Sequence, residues 1–239
     1  MNKKFEFTGE TKAILGNTLH RIRALISFGE VGAGELGGWI EKEENLDASG
    51  NAWVYGNAQV YGNAQVSGNA QVYGNARVSG NARVYGDARV SGNAWVYGDA
   101  RVFDNARVDG DACVYGDACV YGNAWVYGIA RLSGNAWVCG NARVYGDARV
   151  DGDARVYKCG AIFWISNVGS RDDTATFFAC RDKKIKVIVG CFFGDLDEFA
   201  AAVQKTHGDN THAKVYRLAI EMAKERIKMD DMPEESNDG

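Results

Sequence analysis

The chain has almost no proline: one residue, Pro233, in 239. That excludes the stiff proline-rich linkers that often separate domains. Histidine is scarce as well, at His20, His207 and His212, which leaves few groups for proton transfer near neutral pH. No stretch approaches the roughly eighteen apolar residues of a membrane span, and the charged opening from Met1 to Lys12 lacks the apolar centre of a signal peptide. The expectation is a cytoplasmic protein with no membrane partner. Cys113, Cys119, Cys139, Cys159, Cys180 and Cys191 contain no Cys-x-x-C pair, so closely spaced zinc ligands are missing. They read as free thiols of a reducing compartment, with no metal and no cofactor expected. No Ser/His/Asp arrangement, P-loop or dinucleotide fingerprint occurs.

Charge of one sign is also missing where it would matter. The net charge is −4, yet residues 50–157 carry nine Arg and nine Asp and are neutral. Bulk attraction to nucleic acid is therefore not indicated. The stretch 230–239 holds five acidic residues and no basic one, and reads as a solvated, disordered tail.

What is present is one hexapeptide written eighteen times from Gly50 to Tyr157: Gly-Asn/Asp-Ala-x-Val-Tyr/Ser. Position three is always Ala, position five is Val except at Leu132, and position one is Gly except at Asp104. Such self-similarity is the mark of a solenoid. Alternate residues of a strand face opposite sides, so Ala and Val point inward and x and Tyr/Ser point outward. Gly-Asn supplies a corner that tolerates positive φ. Three sides close a triangle of eighteen residues, and eighteen hexads give six turns. At about 4.8 Å per turn the coil is roughly 29 Å long.

An aliphatic residue at i with a small one at i+4 resembles the hexapeptide-repeat family, whose fold is a left-handed parallel β-helix. Many of its members are acyltransferases that use acetyl-coenzyme A, with a histidine general base and a loop projecting from the coil. Here no histidine lies within the repeats and no insertion interrupts them, so a non-catalytic protein is expected. The runs Arg21-Ile22-Arg23-Ala24-Leu25, Phe28-Gly29-Glu30-Val31 and Gly37-Gly38-Trp39-Ile40-Glu41-Lys42-Glu43 resemble the head of phage- and prophage-encoded hexapeptide-repeat proteins. Those proteins have no established activity, and some carry a transferase label by analogy.

The sequence thus divides into four parts: an N-terminal β cap (1–49), the coil (50–157), a small α+β domain (158–229) and the acidic tail (230–239). In the cap, Lys4 to Thr8 and Leu19 to Ser27 read as strands. A parallel coil exposes unpaired edges at its ends and must be covered. After the coil, Ala161 to Val168, Thr174 to Cys180 and Ile185 to Cys191 read as strands. Asp195 with Glu198 opens a helix to about Lys205. A second helix follows from Thr211 to Met229, with Val215, Leu218, Ala219 and Met222 as its apolar side. The fold class is mainly β, with a βββαα domain at the end. That segment, including Val189-Gly190-Cys191-Phe192-Phe193-Gly194, looks like the C-terminal domain of related phage proteins.

Two regions offer recognition chemistry. Residues eighteen apart stack, so one coil face carries Trp53, Gln71, Arg89, Arg107, Trp125 and Arg143 in a column. Tyr, Trp and Arg are enriched at interface hot spots; the same columns also serve simply to stiffen and solubilise a coil. The C-terminal domain supplies a loop with Ser170 and Arg171, and a second with His207 and Asp209, followed by His212. Loops on a rigid scaffold are favoured sites of function, although His207 also suits a helix C-terminus electrostatically.

The leading reading is a phage-type β-solenoid that binds a host protein or sequesters a small ligand, for instance to blunt host defence. An acyltransferase recruiting its base from a flank and a structural assembly component are the alternatives. A homo-oligomer stays open.

Overall fold

The computed structural model describes residues 3–229; the acidic stretch 230–239 lies outside them. The molecule is mainly β, a parallel β-solenoid of about seven turns with an eighteen-residue repeat, closed by an antiparallel sheet and two helices. Each hexad contributes one two-residue strand, and strands eighteen residues apart pair in parallel. All eighteen repeat alanines, the seventeen valines and Leu132 are fully buried. The repeat glycines are required by the corners. Gly80 has φ +67°, and a Cβ there would lie 2.9 Å from the backbone nitrogen of Gly98 one turn above. Asp104 takes the glycine position with φ +58°, a region that Asp and Asn reach more readily than other side chains. Its carboxylate accepts from Gly122 N at 3.1 Å.

Corner side chains add ladders of their own. Asn57 donates to Asn75, Asn75 to Asn93 at 3.1 Å, and Asn93 to Asp111 at 2.8 Å. The chains Asn51–Asn69–Asp87 and Asn63–Asn81–Asp99 repeat the pattern. An amide both donates and accepts, whereas an ionised carboxylate only accepts, so each of these three ladders stops at its aspartate.

At the N-terminal end, β1 (Phe5–Ile14) and β2 (Asn17–Ala24) form an antiparallel hairpin, and β2 pairs with β3 (Leu36–Ile40). β1 runs longer than the expected Lys4–Thr8, because Gly9 sits in a register shift that lets the strand continue, whereas β2 starts and ends before the expected Leu19–Ser27. β3 then pairs in parallel with the coil, Trp39 opposite Gln59 and Ile40 opposite Val60. An irregular turn therefore precedes the first hexad. The buried Asn45 ties it down, donating to Gly62 O and Ala64 O and accepting from Glu41 N and Lys42 N.

This cap corrects the expectation that every x residue faces solvent. Trp53 is 0% exposed, with Phe28 and Phe5 edge-on at centroid distances of 5.4 and 6.4 Å. Strand alternation sends Trp53 out of the coil, and the cap then covers it. Trp53 is core and is unavailable as part of an interaction face. Gln59 and Cys119 are likewise buried despite their x positions.

Lys4 is also buried in the cap, donating to Ala52 O at 2.7 Å and Asp47 O at 3.2 Å, 4.4 Å from the Phe28 ring centroid. Burial pushes its pKa from 10.5 down to about 8, with the Asp47 charge opposing. The unfolded chain thus holds this proton more tightly than the folded one. Lys4 therefore costs stability below pH 8, and that cost is relieved as pH rises from about 8 towards 10.5. The unfolding free energy of the parent minus that of Lys4→Met should increase across this window, since groups common to both cancel. A flat difference would show that no charge is being buried.

At the other end the sheet has four strands, Ile162–Val168, Asp173–Ala179, Ile185–Val189 and Phe192–Asp195, all antiparallel. The fourth corrects the three-strand expectation: Gly190-Cys191 is a tight turn, with Gly190 at φ +55°, and the chain doubles back. Thr176 accepts from Arg149 N at 3.1 Å, Ala154 pairs with Cys180, and Arg181 N donates to Asp153 O. The sheet thus meets backbone groups of the last turns that have no further turn to bond.

Helix α1 (Leu196–His207) begins at Asp195, which accepts from Asp197 N and Glu198 N, while Glu198 accepts from Asp195 N at 2.8 Å. Helix α2 (Thr211–Arg226) buries Ala213, Tyr216, Ala219, Ile220 and Ala223. The expected apolar side is wrong in part: Leu218 and Met222 are 66% and 52% exposed. The buried stripe is rotated from the expected one, because Tyr216 and Ile220 face the domain interior and small alanines allow close approach.

Candidate functional site

The spacing of residues on α1 builds one wall of a pocket. Phe199, Ala202, Val203, Thr206 and His207 recur at three- and four-residue intervals and so share a helix face. The Gly190-Cys191 turn and Phe192 form a second wall, and the turn Gly169–Arg171 with Asp173 a third. Together with Tyr216 from α2 they enclose a cavity of about 250 Å³. Its floor is aromatic: Phe199 lies 5.1 Å from Phe192 and 5.2 Å from Tyr216 between centroids.

Local backbone fixes the polar rim. Gly169 has φ +78°, and a Cβ there would collide with the Tyr216 hydroxyl. Glycine thereby lets the loop carrying Ser170 and Arg171 close over the ring. The Tyr216 pKa is raised by burial first and by the Asp173 charge second, so the phenol stays protonated and available as a donor. Arg149, from the coil, donates to Gly190 O at 3.1 Å and holds the hairpin turn in place.

Of the residues singled out from sequence, Ser170, Arg171 and His207 line this cavity together. His212 stands beside His207, 5.7 Å between ring centroids, outside the lining. Asp209 is engaged elsewhere, accepting from Arg217 at 2.9 Å. Cys191, Phe192, Phe199 and Tyr216 were not anticipated. Apolar residues in a strand or helix carry no signal that distinguishes a pocket floor from a core. Only the two-residue turn, signalled by Gly190, hints that Cys191 and Phe192 are displayed.

On the coil, the eighteen-residue columns hold in register: Gln71, Arg89, Arg107, Trp125 and Arg143 are successive partners above the buried Trp53. Trp125 is half-buried, with Tyr127 at 4.6 Å and the Arg143 guanidinium at 6.0 Å from its ring centroid. Among the described residues no group of three or more His, Cys, Asp or Glu is placed to hold a metal ion. No helix there is long and apolar enough to cross a membrane.

A family model described as the YdcK beta solenoid repeat matches residues 70–85, 82–98, 136–152 and 142–158, all within or at the edge of the hexad region. Comparison with curated proteins gave no match. The chain is similar to that repeat family over part of its coil, and the flanking units lie outside the matched residues.

Proposed function

We propose that this protein is a non-catalytic binding module, in which a rigid β-solenoid presents a ligand pocket on its C-terminal domain. The observation that carries this reading is the 250 Å³ cavity that combines an aromatic floor with Ser170, Arg171 and His207 at its rim. Concave, mainly apolar sites with a few convergent polar groups are the usual form of small-ligand pockets. A serine or cysteine nucleophile needs a base within hydrogen-bond reach, and among the described residues no hydrogen bond joins Ser170 or Cys191 to His207. Binding suits this arrangement better than acyl transfer.

Origin and setting belong to the same proposal. The likeness of residues 19–46 and of the segment Val189–Gly194 to phage-encoded proteins supports a protein made inside a bacterial cell. There it captures a host protein, or sequesters a small host ligand, to the detriment of host defence.

Capture from bacterial lysate, read by mass spectrometry of both proteins and small molecules, tests the reading. Arg171→Ala combined with His207→Ala should reduce capture at least about tenfold while leaving the melting transition nearly unchanged, since Arg171 is exposed and His207 half-exposed. Undiminished capture by the double variant would remove the pocket from the function.

A further inference from the structure

The sixth position of the hexad is Tyr in ten repeats and Phe in one. At four steps where successive turns both carry a ring at this position, the rings stack. On one face Tyr85, Phe103 and Tyr121 lie 4.9 Å apart at each step, with planes within 3° of parallel. One turn below Tyr85, the same position is Ser67. The other serines at this position, Ser79, Ser91 and Ser133, are buried at 6%, 6% and 9% exposure, and Ser79 accepts from Trp95 Nε1 at 3.2 Å. Ser67 is not closed over in this way. Beside it lies a cleft of about 240 Å³ lined by Gln65, Ser67, Arg83, Tyr85 and Arg101.

The aromatic column therefore stops with one ring missing, and the gap is edged by polar groups. Arg83 and Arg101 are direct partners in the parallel ladder, both are exposed, and neither makes an ion pair among the described residues. The Tyr85 phenol is shifted up by burial while both guanidinium charges act against that shift, which sets both cations close to the ring. Below the gap, an adjoining cleft shares Gln65 and Ser67 and is edged by Glu43, Glu44 and Asp47. Those carboxylates repel a long polyanion and leave room for one compact anionic group.

We propose that the gap at Ser67 binds a planar aromatic ring bearing a carboxylate or phosphate. The ring continues the Tyr85–Phe103–Tyr121 stack, and the anion is held by Arg83 and Arg101. Offset or parallel ring contacts are favourable, base–aromatic stacking tolerates many ring types, and guanidinium is the side chain best suited to paired recognition of carboxylate or phosphate. The stack is pre-organised by the β-ladder beneath it, so little ordering is left for binding to supply. This site is separate from the C-terminal pocket and does not rest on the role proposed for it.

Phenyl phosphate titrated into the full chain by calorimetry is the direct test, with cyclohexyl phosphate and inorganic phosphate as controls. Phenyl phosphate should bind about tenfold or more tightly than either control. Ser67→Tyr places in the gap the residue most common at this position and should abolish binding without lowering the melting temperature. Arg83→Gln with Arg101→Gln should weaken binding by about tenfold, and Arg171→Ala with His207→Ala should leave it unchanged. No binding, equal binding of cyclohexyl phosphate, or full binding by Ser67→Tyr would overturn the proposal. If Ser67→Tyr fails to fold, Tyr85→Ser removes the platform instead, and retained binding there overturns it equally.

Discussion

Val102→Asp should strongly destabilise the protein and lower its melting temperature by many degrees. Val102 is fully buried in the middle of the coil, between Val84 below and Val120 above. A carboxylate placed there leaves water without a partner, and the free-energy cost drives it to take up a proton rather than stay charged. The neutral acid fares little better, because the nearby backbone groups are committed: Phe103 N donates to Val120 O, and Tyr85 N to Val102 O. A loss of about 4 kcal/mol or more is expected, against a total stability of about 5–15 kcal/mol for a typical domain. Each turn contacts only its neighbours, so a fault in the middle also uncouples the two halves. Circular dichroism on heating reads the result; a melt within a few degrees of the parent would mean that position five of the hexad does not face the interior.

The second large effect is expected at Trp53. Trp53→Ala should cost about 3–5 kcal/mol, because its ring fills the space between Phe5, Phe28 and Gly37. A Cβ on Gly37 would stand 2.7 Å from that ring, so the backbone itself is in contact. Trp125→Ala, in the same column, serves as the comparison. Trp125 is half-exposed, and truncation there should cost about 1 kcal/mol. Denaturant unfolding of the two variants separates the cases, and equal losses would show that the cap does not seal Trp53. Trp53→Phe should retain most of the stability, as the indole Nε1 is buried without a hydrogen-bond partner.

These two sites mark what a periodic sequence reveals and where it stops. Val102 could be placed inward from the repeat alone, since strand alternation and an eighteen-residue closure leave no other arrangement of Ala and Val. The same alternation puts Trp53 outward, correctly as a direction and wrongly as an exposure. Periodicity describes how the coil folds on itself and says nothing of what later packs against it. In the C-terminal domain the capping signal of Asp195 and Glu198 was local and therefore legible. The side of α2 that is buried was not, because Leu218 and Met222 are apolar enough to suggest a core face, while the domain takes Tyr216 and Ile220 instead. The polar rim of the pocket could be sketched from Ser170 and Arg171, which sit in the exposed turn between two strands, and from His207 at the polar end of α1 beside Gly208. Its aromatic floor needed the hairpin at Gly190 and the angle of α1 to assemble.

The three-sided coil has a geometric consequence for the two units it joins. Removing or adding one hexad would swing the C-terminal domain about a third of a revolution around the long axis relative to the hairpin of β1 and β2. Removing or adding three would restore the bearing and change only the separation, by about 4.8 Å. The number of hexads therefore writes two independent coordinates into the chain: its remainder on division by three sets an azimuth, and its quotient sets a distance.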